Sequence, residues 1–410
     1  MADKKVQILN VILNAFIEMG FYISIVSLLF ITKYPLYIQA FGASFSVFFW
    51  GLKCLINKKW IYKHYPWHWT ELLLCSWIWI GLLWSVQPNQ TMLQGIIFTS
   101  GCIIEVLLVS VFQKKQQVLR ILFILFLILV GYAIFFIVQH WKSVLPLLRW
   151  GTIWRSQLEV SGVEVNFGTP IGGRNSLGGL YSLLVPLSAS IAIFGIRWKE
   201  FAQHKWLFFL FKSFFLSTTI LFFSMVMFSG SRGSSIGMVF GLLCLLLSNL
   251  QWQWTLIAAY TTAVLVSVPT TRNWFTRILL ETLSGDMARI FIWQNSLELF
   301  HLVWIGGTGL GTFQYAYKMF FSPENQKTFI HAHNIFLNIG IELGIVGVML
   351  FTILGLQFLI YGISLGRKNK HISPFFASIQ VGLASLVFGY IIRCLFGCYE
   401  PTISSFIVGG

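Results

Sequence analysis

Runs of about twenty apolar residues, separated by short polar turns, fill almost the whole chain. They fall at roughly 7–32, 35–56, 67–86, 92–113, 118–140, 175–196, 206–229, 233–249, 252–268, 333–364 and 373–395. Each is long enough to cross the hydrocarbon layer as a helix, where every backbone polar group must bond within its own segment. The pattern therefore predicts an all-α polytopic membrane protein with about 11 transmembrane helices, the whole of 1–410 forming a single integral membrane domain. The first run lacks a short apolar core followed by a small-residue cleavage site, so it reads as a span and not as a cleaved leader. The run at 333–364 is long enough to tilt or to project beyond the bilayer. After the eleventh run the chain closes with YEPTISSFIVGG, the opening of a twelfth span that is either cut short or ends outside.

Two connections, 141–174 and 269–332, exceed ordinary loop length and are expected to be functional loops. The second is expected to carry short helices over a cavity. Its segment LSGDMARIFIWQNSLELF (283–300) has the pattern of an interfacial helix, with Ser284 or Asp286 as cap and Ile290, Trp293, Leu297 and Phe300 on one face. GGTGLGTF (306–313) follows. No strand precedes it, so it is not a dinucleotide fingerprint and reads as a flexible outer turn.

Composition agrees with a membrane. The chain is 57% hydrophobic and 10% charged, with mean hydropathy +0.77, and a soluble domain cannot cover that much apolar surface. The net charge of +15 sits mostly in loops, where it orients the spans, so nucleic acid is not an expected partner. The six cysteines are scattered through apolar runs, with no zinc spacing and no disulfide framework.

Lysine and arginine divide differently. Assigning the lysine-rich turns KCLINKKWIYKHY, FQKKQQ, IRWKEFAQHKW and GRKNKH to the cytoplasm puts the N-terminus inside as well, and 13 of 17 lysines then lie on the inner side. On this topology 8 of 11 arginines lie outside or at outer mouths: Arg149, Arg155, Arg174, Arg232, Arg272, Arg277, Arg289 and Arg393. The planar guanidinium grips phosphate and carboxylate in a bidentate manner. Arginines gathered at one face point to an anionic ligand, a diphosphate being a good fit. The plainer alternative is loop charge, or pairing with Glu159, Glu164, Glu281 and Asp286.

Three stretches carry candidate chemistry. GTPIGGRNSLGGLYSLLVPL (168–187) leads through glycines into Arg174 and a span; its plain alternative is a turn capped by Asn175 or Ser176. FSGSRGSSIGMVFG (228–241) holds Arg232 in a Ser/Gly turn above Gly233, Gly237 and Gly241, a four-residue repeat that suits close helix packing. HAHNIFLNIGIELGIVG (331–347) sets His331 and His333 at the mouth of a span. Asn334, Asn338 and Glu342 then recur every four residues, so on a helix they share a face expected to look into a protein-lined cavity, with Glu342 about 12 Å below Asn334. A metal held by the two histidines lacks a completing carboxylate or cysteine. Interfacial histidines without function, or a titratable base at a cavity mouth, remain.

Over about 168–350 these motifs, in their order and spacing, resemble the O-antigen ligase and O-antigen polymerase superfamily of bacterial membrane glycosyltransferases. The resemblance rests on GGRNSLGGLYSLLVPL, GSRGSSIG, RIFIWQNSLELF with GGTGLGTF, and above all HAHNIFLNIGIELGIVG; the first five spans match by hydropathy alone. It implies a multi-pass protein of the bacterial cytoplasmic membrane with its site facing outward. It implies transfer of a glycan from a polyprenyl-diphosphate carrier to a glycan or glycolipid acceptor, such as lipid A core, with no metal and no cofactor. By motif, Arg232 and Arg289 match the diphosphate-holding arginines, Arg174 matches a polar position at a helix mouth, and His333 matches the base, with His331, Asn334, Asn338 and Glu342 in support.

The chemistry agrees. A diphosphate leaves readily once its charge is held, so charge stabilisation and one base suffice. A glycoside hydrolase would instead need a close carboxylate pair. A repeat-unit polymerase would use the same residues. A transporter would show internal repeats, mid-membrane helix breaks and sites reachable from both faces; the sequence carries no convincing repeat.

Overall fold

The structure, a computed structural model, describes residues 2–30, 35–60, 64–111, 115–139, 174–195, 205–229, 231–249, 287–321, 329–370 and 372–396. Among these residues there are twelve α-helices and no strand: α1 (Ala2–Phe30), α2 (Pro35–Ile56), α3 (His68–Ile80), α4 (Pro88–Val111), α5 (Lys115–Gln139), α6 (Arg174–Ser190), α7 (Lys205–Ser229), α8 (Arg232–Asn249), α9 (Met287–Val303), α10 (Phe313–Phe321), α11 (Ile335–Asn369) and α12 (Pro374–Phe396). The fold is all-α and polytopic. Ten of the expected spans appear as helices with ends shifted by a few residues; the span expected at 252–268, residues 141–173 and the C-terminal 397–410 lie outside the described residues. Seven helices are long and apolar enough to cross a membrane, and Ala40–Ile56 and Gly233–Ser248 are shorter apolar helices. The second long connection carries two short helices, α9 and α10.

Helix α6 is the axis of the packing. It is buried almost all round, and Leu177, Tyr181 and Val185 join Phe126 and Phe136 of α5 and Phe222 and Met225 of α7 in the largest apolar cluster. Helices α8 and α12 meet through the glycine ridge: a side chain at Gly237 would run into the carbonyl of Gly389, and one at Gly241 into that of Ser385. Helices α1 and α2 cross in the same way at Gly20 and Gly42. Without water to drive association in lipid, such close backbone approach supplies the dispersion contact that holds spans together. One buried charge is paired: Glu18 of α1 accepts from Arg120 Nε of α5 at 2.9 Å and from the Tyr22 hydroxyl at 2.8 Å.

Helix α11 is broken. Gly344 has φ 67° and ψ −170°, a region open essentially only to glycine. The break frees backbone groups that would otherwise bond along the helix, and the preceding loop takes them up. Thr308 N–H donates to Ile341 O and Gly309 N–H to Glu342 O, each at 2.8 Å; Ile345 N–H donates to Trp304 O at 2.7 Å. Trp77 of α3 donates its indole N–H to Leu343 O at 2.8 Å. Thus GGTGLGTF is no flexible outer turn. It is clamped to the broken helix because its amides are what satisfy the freed carbonyls. A side chain at Gly307 would fall on the Glu342 backbone, so this glycine is required by closeness as well as by its positive φ.

The clamp makes a stability prediction. Gly344→Ala forces a side chain into a glycine-only conformation, and its Cβ meets the Ile305 carbonyl; it is expected to cost at least about 2–3 kcal/mol. Gly131→Ala on α5 meets nothing within 4 Å and should be neutral or stabilising by up to ~1 kcal/mol. Thermal unfolding in detergent of the two variants side by side checks the contrast, and equal melting temperatures would refute the clamp.

Candidate functional site

Arg174 and Arg232 are the first residues of α6 and α8, and Arg289 is the third residue of α9. Asn175 and Ser176 therefore lie inside the first turn of α6 and do not precede it as caps. Ser284 and Asp286, the caps expected for α9, lie outside the described residues, as do the side chains of the three arginines. Their helix starts are nevertheless fixed by neighbours. Gly178, one turn below Arg174, packs against Ser229 of α7 and Ser234 of α8, which flank Arg232. That turn is set by its own hydroxyls: Ser231 N–H donates to Ser229 Oγ at 3.2 Å and Ser234 Oγ donates to Ser231 Oγ at 2.9 Å. The Arg174 and Arg232 helix ends thus lie side by side.

A second pairing involves Arg289 and the histidines. Trp293, one turn along α9 from Arg289, donates its indole N–H to Ala332 O at 3.0 Å. Ala332 is buried between His331 and His333, whose rings lie 4.4 Å apart in an edge-on arrangement. The start of α9 and the histidine segment are therefore held together. Packing on α9 uses a different face from the one its pattern suggests: Ile292, Ser296 and Leu299 are buried, whereas Ile290 and Leu297 are exposed. The reason is that α9 lies against the start of α11 on one side only, leaving apolar residues on the other.

Helix α11 begins at Ile335, with Asn334 as its N-cap accepting from Phe336 N–H at 3.0 Å and Leu337 N–H at 3.2 Å. His333 precedes the cap and has φ 55°, a left-handed backbone rare outside glycine. It is thus free of helical spacing, and its strained backbone is of the kind that clusters at functional sites. His331 has both ring nitrogens buried with no hydrogen-bond partner among the described residues. Burial, reinforced by His333 beside it, pushes its imidazole down to about 4.

The polar stripe expected to face a cavity is instead used inside the protein. Asn338 is buried and its Oδ1 accepts from Ala332 N–H at 3.1 Å. Glu342 is buried and its Oε1 accepts from Phe313 N–H at 3.2 Å, capping α10. Asn338 fixes the loop that carries the histidines and Glu342 fixes the start of α10, because polar groups buried this deeply are held by the nearest backbone donors. The two pairings, Arg174 with Arg232 and Arg289 with the histidines, are linked by one apolar cluster containing Leu183 of α6, Ile335 and Ile339 of α11, and Tyr390 and Cys394 of α12.

Residues 217–352 match the family model described as O-antigen ligase. This stretch, a third of the chain, is similar to the O-antigen ligase family. No protein of curated function matches the chain. The O-antigen ligase region runs from α7 through the clamp loop to α11, so it includes Arg232, Arg289, His331, His333, Asn334, Asn338 and Glu342. Arg174 lies outside it. The helices make the chain a multi-pass membrane protein. Two features of the O-antigen ligase region escape sequence inspection: Trp293 as the tie to the histidines, and Gly344 as a break. The second has a signal, since GGTGLG and GIELG are two glycine-rich stretches that contact each other.

The neutral His331 predicts an acid-side loss of stability. An ordinary imidazole titrates near 6.5, while His331 does so at about 4 in the folded chain. Between those values the unfolded chain binds a proton that the folded one does not. Stability from this source is full above pH 6.5 and drains as pH falls toward 4. His331→Gln removes the titration, so its melting temperature should fall less than that of the unaltered protein over that window. Parallel curves would show that His331 is not held neutral.

Proposed function

We propose that the protein moves a glycan from a polyprenyl-diphosphate carrier to a hydroxyl of lipid A core or a similar acceptor, at the outer face of a bacterial cytoplasmic membrane. The observation that carries this is the tie between α9 and the histidine segment, which sets the start of the Arg289 helix beside His333. His333 accepts the acceptor's proton; the acceptor oxygen bonds the anomeric carbon; the carbon–oxygen bond to the carrier breaks and its electron pair leaves on the diphosphate. Arg232 and Arg289, with Arg174, neutralise that leaving charge, the task a divalent cation performs in many phosphate-transferring enzymes. His331, held neutral, keeps a second positive charge away from His333. Asn334 and Asn338 hold the backbone on which the two histidines sit, and Glu342 anchors the start of α10 beside it.

A repeat-unit polymerase would use the same groups and differ only in taking a growing glycan as acceptor, so the product distinguishes the two. The break in α11 is the one feature that would suit a transporter, but its freed backbone groups are bonded to protein and offer no open ion or substrate ligand.

The test is transfer from a lipid-linked glycan by purified protein, with the product identified by mass. His333→Ala should lower kcat by about 10²–10⁴-fold, and Arg232→Ala or Arg289→Ala by about 10²–10³-fold. A chelator should leave the rate unchanged. Full activity in His333→Ala would overturn the assignment of the base, and a rate abolished by chelation would overturn the role given to the arginines.

A further inference from the structure

Arg393 lies near the C-terminal end of α12, is 1% exposed, and is the largest fully buried side chain among the described residues. A charged group buried within a spanning helix is costly and marks function more often than packing. The slot that holds it is built by omission. Gly179 of α6 faces the guanidinium carbon and nitrogens, and Gly237 of α8 faces its Cβ; a side chain at either position would occupy the space Arg393 fills. Its Nε donates to Ser234 Oγ at 3.2 Å, and Ser234 passes a hydrogen bond to Ser231. Those two serines bracket Arg232, so the chain Arg393–Ser234–Ser231 ends on the backbone turn that presents Arg232.

The surroundings make this cation stranger still. It lies against the first two turns of α6 and α8, whose amino ends carry partial positive charge. Arg174 and Arg232 open the same two helices. A buried guanidinium and two helix starts of one sign thus lie together, an arrangement that suits a multiply charged anion. Tyr390, whose ring lies 6.0 Å from the Arg393 guanidinium, also lines a mainly apolar groove with Phe351, Leu354, Phe358 and Val387, to which Glu105, held by the Trp67 indole, adds one carboxylate. An anionic head with an aliphatic tail matches the pairing of cation and groove.

We propose that Arg393 is a further positioning residue of the donor site: a buried positive charge that holds the Arg232 turn and draws the carrier's diphosphate to the α6 and α8 helix starts. The inference rests on the function proposed above and adds to it a residue outside the stretch that matches the O-antigen ligase family. It also gives Gly179 and Gly237 a purpose, namely to leave room for a guanidinium.

The experiment uses the full chain in detergent. Its melting temperature is measured with a long-chain polyprenyl diphosphate, with the corresponding monophosphate and with inorganic pyrophosphate, and donor and acceptor kinetics are measured in parallel. The unaltered protein should be stabilised most by the lipid diphosphate; an equal response to pyrophosphate would show that the head alone is recognised. In Arg393→Gln most of that shift should vanish and the donor KM should rise about tenfold or more, with acceptor KM unchanged. Arg393→Lys should keep part of the shift. Gly179→Ala leaves the charge in place but pushes a methyl into the guanidinium, and should weaken the donor as Arg393→Gln does. This variant and Arg393→Lys carry the test if Arg393→Gln does not fold. A purely structural tie would lower the melting temperature of the Arg393 variants yet leave the ligand-induced shift and donor KM as in the unaltered protein, and that result overturns the inference. Should the unaltered protein respond to none of the probes and transfer nothing, the proposed function itself fails, which a wild-type response with unaffected Arg393 variants does not imply.

Discussion

Backbone hydrogen bonding at the break in α11 is the constraint on which the half of the molecule that carries the histidines depends. A helix interrupted inside an apolar bundle leaves carbonyls that neither lipid nor side chains of leucine and isoleucine can satisfy. Here the amides of Thr308 and Gly309 and the indole of Trp77 supply the missing donors. The loop between α9 and α10 is therefore not draped over the spans but keyed into one of them. Once it is keyed, Glu342 meets the start of α10 and Trp304 meets Ile345, so α9, α10 and the head of α11 form one unit. Phe313, Tyr317, Ala332 and Ile341 pack into a small apolar core of their own within it.

The site is then a matter of which helix starts that unit faces. Amino ends of helices favour anions through unsatisfied N–H groups, and this chain places arginine at or next to three of them. Lysine would supply charge but not the fork geometry that a phosphate oxygen pair accepts. The opposite end of the bundle is of a different kind: Arg367 there is occupied with the carbonyl of Ser248 as a tie between α11 and α8.

Apolar periodicity made the helices legible, because in lipid the length of an apolar run and the length of a helix are the same physical quantity. The glycine ridge of α8 was legible for a similar reason, since small residues every four positions have few other uses in a span. Two things were not legible. The face that α9 buries could not be told from its pattern, because Ile290 and Leu297 are as apolar as Ile292 and Leu299 and only the partner decides between them. The polar stripe of α11 was visible, but its bonding was not: Asn338 and Glu342 take backbone donors from segments six and twenty-nine residues away. Arg393 was visible only as one of the arginines placed outside or at outer mouths, and its slot is made of glycines on two other helices, which no local pattern reveals.

The contact between Trp293 and the carbonyl of Ala332 has an evolutionary corollary. One side of it is a backbone oxygen, which every amino acid carries, so position 332 can drift among residues small enough for a buried site without loosening the clasp. The other side needs an indole or something very like it. Two positions that depend on each other in space would then show no correlated change across homologues, and statistical coupling would pass over a joint that geometry makes plain.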